Sequence, residues 1–130
     1  MTMTAVQRPE IFNTIPNHNY LRLLEGNIPK NVVHFLGLST DEVSKAMGIP
    51  KKSVRYDEKM PKELAQRLQE IAIICELIAE YFNGDPQKTA LWFQIKNPAL
   101  GGISPRDMIR FGRYQKLEKF IQNALAGNVA

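Results

Sequence analysis

Cysteine, histidine and long apolar runs are all scarce in this sequence, and each scarcity excludes a class of protein. A single cysteine, Cys75, cannot form an intramolecular disulfide, and this agrees with a reducing compartment. The only histidines, His18 and His34, lack metal-ligand spacing to each other and to the cysteine, so we expect no metal site. The longest apolar run, IAIIC at residues 71–75, is far too short to cross a membrane.

The sequence also lacks a catalytic constellation and a targeting segment. Cys75 falls on an apolar helical stripe, which is typical of a small core residue and not of a nucleophile. No two acidic residues have a spacing that would bring their carboxylates together for acid–base catalysis. The opening MTMTAVQRPE has neither the basic nor the apolar region of a signal peptide. We therefore expect a cytoplasmic protein that is not an enzyme and carries no cofactor.

The composition that is present is typical of a globular and mildly basic protein. The chain has 130 residues, of which 44% are apolar and 23% are charged, and its formal net charge is +4. This length predicts one domain, or two small subdomains that share a core. The positive charge permits a nucleic-acid partner without requiring one.

Signals for helix ends recur along the chain and no strand is convincing, so we predict an all-α fold. Residues 1–16 are predicted to form a flexible arm, because Pro9 and Pro16 interrupt any regular element. Polar caps and glycine stops then mark the helices. The predicted helices cover residues 17–26, 29–37, 39–48, 51–56, 62–82, 85–94, 104–112 and 113–127.

The longest predicted helix, at residues 62–82, has apolar side chains on two faces. A continuous stripe consists of Leu64, Leu68, Ile71, Cys75, Ile78 and Phe82. A second face in the later half consists of Ile73, Ile74, Leu77 and Tyr81. This pattern predicts a helix at the centre of the domain or in a dimer interface. The inward-facing residues predicted for the last helix are Leu117, Ile121, Ala124 and Leu125.

Residues 41–56 have the spacing of a helix-turn-helix. Ser44 is the small residue of a first helix, Gly48 forms the turn, and Val54 anchors a second helix. The residues that this second helix would display to DNA are Lys51, Lys52, Ser53, Arg55 and Tyr56. Residues 51–62 contain five basic and two acidic side chains, which favours a basic face. Two packed helices joined by a glycine turn are the alternative.

The stretch NPALGGISP, at residues 97–105, connects two predicted helices. Free N–H groups at the start of the second helix would suit an anion, but Ser104 and Asp107 already cap that end. We therefore favour a fixed corner, in which Leu100 enters the core and the two glycines adopt backbone angles that other residues resist. Trp92, on the preceding helix, is either a core residue or an interface anchor.

Residues 84–109 resemble the signature of the Xre/MbcA/ParS-like antitoxins, a family with a toxin-binding domain. The features that carry the resemblance are Gly84-Asp85-Pro86, Trp92, the loop from Asn97 to Gly102, and Ser104-Pro105-Arg106-Asp107. The ending ALAGNVA is similar to the short tail of the family. Upstream, GLSTDEVSKAMGIPKKSVRY is similar to its helix-turn-helix half, so the resemblance covers residues 28–130.

The resemblance implies an antitoxin of a type II toxin–antitoxin system, which binds and neutralises a RES-type toxin that consumes NAD or transfers ADP-ribose. It also implies a homodimer formed through the C-terminal domain, and repression of the protein's own operon through operator DNA. Carried over by position, the DNA-binding residues are Lys51, Lys52, Ser53 and Arg55. The corresponding toxin-binding residues are Leu100, Arg110, Arg113, Tyr114, Lys116, Gly127, Asn128, Val129 and Ala130. Residues 110–116 would form an exposed basic stretch, and residues 127–130 a tail that reaches the toxin's active-site cleft.

The expected organisation is a flexible arm at residues 1–16, an Xre-like helix-turn-helix region at 17–61, and a helical toxin-binding and dimerisation domain at 62–130 that packs on it. Two rival functions stay open. One is a stand-alone DNA-binding regulator without a toxin, which steeply salt-dependent DNA binding would favour. The other is a non-catalytic adaptor with a different protein partner.

Overall fold

The computed structural model describes residues 24–127, and within this range the chain is all α-helical, as predicted. The helices are α1 (Ile28–Leu36), α2 (Thr40–Met47), α3 (Lys62–Tyr81), α4 (Pro86–Gln94), α5 (Pro105–Arg110) and α6 (Tyr114–Leu125). Single 3₁₀ turns at Lys51–Ser53 and Pro98–Leu100 precede α3 and α5. The predicted arm, and most of the helix predicted at 17–26, lie outside the described residues.

Local capping sets the helix ends, as the sequence predicts. α2 begins with a complete capping box, in which Ser39 Oγ accepts from the Glu42 N–H at 3.1 Å and Glu42 Oε1 accepts from the Ser39 N–H at 2.9 Å. α5 begins with half of such a box, since Ser104 Oγ accepts from the N–H three residues on. The stops after α1 and α2, Gly37 and Gly48, have positive φ angles of 65° and 67°.

α3 lies at the centre of the domain, which is one of the two placements predicted for it. The predicted stripe is buried from Leu64 to Ile78, and Phe82, which follows the helix, is half-buried. A second buried face consists of Ala72, Ile74 and Ala79. α1 packs on this helix, as do α4 and α6. Tyr81, predicted for the second face, is instead 67% exposed.

The hydrophobic core continues without a break across the predicted boundary after residue 61. Arg106, in α5, adds a polar connection across the same junction. Its Nε donates to the Leu36 carbonyl at 2.6 Å and its Nη2 to the Gly37 carbonyl at 2.7 Å, so it satisfies the end of α1. The same Nη2 lies 3.1 Å from Glu42 Oε1 at the start of α2. These contacts hold α1, α2 and α5 together.

Gly112, between α5 and α6, allows a close approach to α2. Its φ is +78°, and a Cβ at this position would lie 3.3 Å from the Ala46 carbonyl oxygen. Ser44, the small residue of the predicted helix-turn-helix, makes a hydrogen bond with its side chain. Its Oγ donates to the Ile49 carbonyl at 2.6 Å and so satisfies the turn that follows α2.

Two predicted helical features are wrong. The helix predicted over residues 51–56 is a single 3₁₀ turn, because the chain leaves helical geometry at Val54, where φ is −80° and ψ is 105°. The Asn27 amide then donates to the Tyr56 carbonyl at 2.8 Å and ties this segment to the start of α1. In α6, Ala124 and Leu125 are exposed and are not part of the core.

Candidate functional site

Exposed apolar side chains are concentrated in one half of the described chain. The five large ones, exposed by 49% to 67%, are Tyr81, Leu91, Ile95, Phe111 and Leu125. All of them lie in residues 81–125, and residues 24–80 contribute none. Apolar exposure is typical of surfaces that bind another protein where the side chains are contiguous, and Tyr81 and Leu125 line one cleft. The same part of the chain contains two open clefts, which share one lining residue.

The first cleft, which we name the Trp92 cleft, has a volume of about 310 Å³. It is lined by Ile78, Tyr81, Trp92, Asn97, Phe120, Ile121, Ala124 and Leu125. None of these side chains carries a charge. The Trp92 ring packs edge-to-face on the buried ring of Phe93, with the ring centroids 5.1 Å apart. Trp92 is therefore fixed by the core on one side and open to a partner on the other.

The second cleft, which we name the basic cleft, has a volume of about 290 Å³. Its apolar residues are Ala99, Leu100, Ile103, Met108 and Phe120. Arg113 and Lys116 complete the lining, and both are exposed. Phe120 lines both clefts. The basic cleft combines five apolar side chains with two positive charges.

The NPALGGISP corner fixes the apolar part of the basic cleft. The Asn97 side chain accepts from the Ala99 N–H at 2.9 Å, and the Asn97 N–H donates to the Ile103 carbonyl at 3.0 Å. Gly101 and Gly102 have φ angles of +82° and +85°, and a Cβ on either would meet open space. These glycines are therefore needed for their backbone angles and not for close packing. The corner orients Leu100, which is half-buried against the core.

The structure brings together three of the predicted toxin-binding residues and separates others from them. Leu100, Arg113 and Lys116 line the basic cleft. Arg110 is half-buried instead, because its Nε donates to Asp107 Oδ1 at 3.1 Å and its guanidinium lies over the Phe111 ring at 4.4 Å. Gly127 is exposed at the end of α6, and Asn128, Val129 and Ala130 lie outside the described residues.

Tyr114 corrects the expectation of an exposed stretch at residues 110–116. It is 93% buried, since only 7% of its surface is exposed, and it packs between α6 and α3. Burial raises the pKa of its phenol, and the charge and hydrogen bond of Glu70 raise it further. Burial and the charge of Glu70 likewise raise the pKa of Glu118. Tyr114 is therefore part of a polar cluster inside the molecule.

Arg113 differs from every other arginine in the described part of the chain. Carboxylates lie within 4.0 Å of Arg55, Arg67, Arg106 and Arg110. Arg113 has no ion pair among residues 24–127, and neither has Lys116. Two unpaired cations beside an apolar cleft leave this surface with positive charge that no described acidic side chain offsets.

The predicted DNA-binding residues are close together in sequence but are mostly engaged within the chain. Lys51 Nζ lies 3.0 Å from Asp41 Oδ1, and this hydrogen bond and charge lower the pKa of the Asp41 carboxyl. Arg55 makes a two-pronged contact with Asp57, with distances of 2.8 Å and 2.5 Å. Lys52 is exposed without an ion pair among the described residues, whereas Ser53 and Tyr56 are half-buried.

Sequence reasoning missed the residues that hold the site in place. Arg106 was available as an arginine in the first turn of a capped helix, but nothing in the sequence indicates that it reaches α1. Phe120 lies three positions after Leu117, which is a helical spacing, but it is not part of the inward-facing set predicted around Leu117 and Ile121. The sequence therefore gives only a weak indication that Phe120 belongs to the site. Glu118 lies one helical turn after Tyr114, a spacing at which side chains on one helix meet.

Residues 24–127 contain no group of three histidine, cysteine or acidic side chains placed to hold a metal ion. Burial raises the pKa of the Cys75 thiol, so this cysteine stays protonated. In the same range no helix has the length and apolar character needed to cross a membrane. Comparisons of the chain with protein-family models, with curated proteins and with solved structures found no match.

Proposed function

We propose that the chain is the antitoxin of a type II toxin–antitoxin system, which binds and neutralises a RES-type toxin that consumes NAD or transfers ADP-ribose. The observation that carries this proposal is the pair of clefts lined by residues 78–125, one of which brings together Leu100, Arg113 and Lys116. The same residues include the loop and helix starts that resemble the toxin-binding domain of Xre/MbcA/ParS-like antitoxins. A surface built for binding and a resemblance to a toxin-binding domain thus fall on one part of the chain.

Neutralisation by such a surface requires binding alone, because an antitoxin that occludes the toxin's substrate cleft needs no reactive group of its own. A stable interface buries on the order of 1,600 Å² in total. Neither cleft provides that area by itself, so the toxin contact also includes the side chains around the basic cleft. We assign the tail at residues 127–130 to the same contact, since it begins at the exposed Gly127.

We further propose that a second copy of the chain binds at the Trp92 cleft. In a two-fold dimer each patch meets the same patch of its partner. At the basic cleft such a contact would bring Arg113 and Lys116 towards their own copies, and the like charges would repel. The lining of the Trp92 cleft is uncharged and includes an aromatic residue suited to anchor an interface. The uncharged cleft therefore fits self-association, and the basic cleft fits a different partner.

Operator binding is a second candidate function, and the exposed Lys52 beside Lys51 and Arg55 favours it. The 3₁₀ turn at Lys51–Ser53 has three residues, which is too short to lie along a major groove as a recognition helix does. We therefore propose that any contact at this segment is made to phosphates, which gives affinity and orientation without reading base sequence. Asp41 and Asp57 compete with phosphate for two of these cations.

The experiment that tests the antitoxin proposal is a pull-down from the native cell lysate with a tag on the N-terminus, which leaves the C-terminal tail free. We expect a near-stoichiometric protein partner. After release, this partner should degrade NAD or modify a target with ADP-ribose, and adding the purified chain back should stop the reaction.

The other outcomes separate the rival functions. A stoichiometric partner with neither activity would contradict the antitoxin proposal and favour the adaptor. Recovery of specific DNA without such a protein would favour the stand-alone regulator.

A further inference from the structure

We propose that the basic cleft recognises a partner segment in which one large apolar side chain is flanked by a carboxylate. The apolar side chain enters the cleft, and the carboxylate pairs with Arg113. The inference rests on the proposed function in one respect, which is that the partner is a protein. It adds the chemistry by which that partner is recognised.

The size and lining of the cleft favour one apolar side chain. Pockets for whole small-molecule ligands begin at roughly 300 Å³ and are mostly more enclosed than an open surface cleft. The basic cleft, at about 290 Å³, lies just below that range. Leu100, Ile103 and Met108 present aliphatic and thioether groups, and Phe120 presents a ring edge or face. An aliphatic or aromatic side chain can make apolar contacts with these four residues.

The unpaired cations identify the second element of the ligand. Within residues 24–127 the other four arginines already contact carboxylates, so Arg113 is the arginine left without one. An arginine guanidinium matches a carboxylate with two parallel hydrogen bonds. Arg55 makes this contact with Asp57 in the same chain. Lys116, on the adjoining turn of α6, adds a second positive charge at the cleft.

A protein segment fits these features better than nucleic acid does. Nucleic-acid surfaces combine several cations along a phosphate track with aromatic stacking platforms. The basic cleft has only two cations, and four of its five apolar residues are not aromatic. Charge complementarity therefore points to an acidic protein segment with an apolar anchor.

The test is a peptide-display selection on the full-length chain, using a random twelve-residue library. We expect the selected peptides to share a Leu, Ile, Met or Phe within three positions of Asp or Glu. A synthetic peptide with the shared sequence should bind the wild-type chain and lose about tenfold or more of its affinity on Arg113→Glu, because a pair of opposite charges becomes a pair of like charges. A peptide with lysine in place of the acidic residue should then bind the Arg113→Glu variant better than the wild type.

Lys119→Glu is the matched control, because it makes the same charge change on an exposed position of α6 that does not line the cleft. Circular dichroism and thermal unfolding should show that both variants fold. The proposal is overturned if no peptide is selected, or if the selected peptides lack the acidic residue. It is also overturned if the peptides bind at another site from which nucleic acid displaces them, or if Lys119→Glu weakens binding as much as Arg113→Glu.

The two proposals fail separately. If the peptides show the expected pattern but the partner from the lysate neither consumes NAD nor transfers ADP-ribose, the antitoxin proposal is wrong and the recognition chemistry stands. If the partner has such an activity but binds Arg113→Glu as tightly as the wild type, the antitoxin proposal stands and the inference about the basic cleft is wrong.

Discussion

The guanidinium of Arg106 lies 3.1 Å from the carboxylate of Glu42, across 64 positions of sequence. Glu42 Oε1 also accepts from the Ser39 N–H, so one carboxylate completes the capping box of α2 and pairs with α5. Glu42 Oε2 lies 3.7 Å from Arg110 Nε. These side chains are only 21% to 33% exposed, so water and salt screen their interaction less than that of a surface pair.

Arg106→Ala should lower the free energy of unfolding by about 2–3 kcal/mol, because charge-assisted hydrogen bonds to the Leu36 and Gly37 carbonyls and to Glu42 are lost together. Urea unfolding would measure the change. Arg113→Ala is the control and should alter stability by less than about 0.5 kcal/mol, since that side chain is exposed and unpaired. Equal effects of the two variants would contradict the role given to Arg106.

Gly112→Ala should destabilise the protein more than Gly101→Ala. Both positions have positive φ, which costs roughly 1–2 kcal/mol for a residue with a Cβ. At Gly112 the added Cβ also meets the Ala46 carbonyl at 3.3 Å, whereas at Gly101 it meets open space. Thermal unfolding of the two variants would isolate the effect of close packing. A larger loss in Gly101→Ala would show that the corner and not the α2 contact is the tighter constraint.

Glu118→Gln should raise stability at neutral pH, and the gain should disappear in acid. The pKa of Glu118 is raised above its ordinary value of 4.5 in the fold, by burial and then by Glu70, so the folded state holds its proton more tightly than the unfolded state. The stability from this group is present below 4.5 and is lost as pH rises through the raised pKa. Chemical unfolding at several pH values would measure it. In Glu70→Gln, an NMR titration should find a lower pKa for Glu118.

The DNA candidate predicts unequal contributions from two neighbouring lysines. Lys52 has no ion pair among the described residues, whereas Lys51 must leave Asp41 to reach a phosphate. Lys52→Ala should therefore weaken binding to double-stranded DNA more than Lys51→Ala, and should reduce the salt dependence by about one phosphate contact. Fluorescence anisotropy at several salt concentrations would measure both. If neither substitution changes the affinity, residues 51–56 do not bind DNA.

Leu125→Asp should shift the proposed dimer towards monomer without unfolding it. Leu125 lines the Trp92 cleft and is 49% exposed, so its replacement removes apolar contact area and adds charge to the interface. Sedimentation velocity over a range of concentrations would report the association state. Phe111→Asp is the control, because Phe111 is 51% exposed and lines neither cleft. A wild-type chain that stays monomeric at every concentration would exclude dimerisation at this cleft.

The helix ends were predictable because capping is local. Ser39 and Glu42 are three positions apart, and the Asp85 side chain accepts from the N–H groups of Gln87 and Lys88. In each case the partners are two or three positions apart in the sequence. The corner at residues 97–105 was predictable for the same reason, since Asn97 closes it on its own next few residues. Interactions between residues a few positions apart can be predicted from the sequence.

The exposure of individual side chains was harder to predict, because it depends on elements that are distant in sequence. Tyr114 lies within a basic stretch of sequence, yet α3 covers it and Glu70 accepts a hydrogen bond from its hydroxyl. Leu125 has helical spacing with the buried Ile121, yet it is 49% exposed and lines the Trp92 cleft. The segment at 51–56 leaves helical geometry at Val54, and its Tyr56 carbonyl accepts from the distant Asn27 side chain. Each difference depends on the tertiary arrangement, which the local pattern does not specify.

Because one core extends from α1 to α6, residues 24–127 should lose their structure in a single cooperative transition. A protease that needs an unfolded segment would then reach α2 and the clefts in the same event. For the proposed antitoxin, the lifetime in the cell would follow the global free energy of unfolding. The duration of neutralisation would thus be set partly by the contact between Arg106 and Glu42, two residues that line neither cleft.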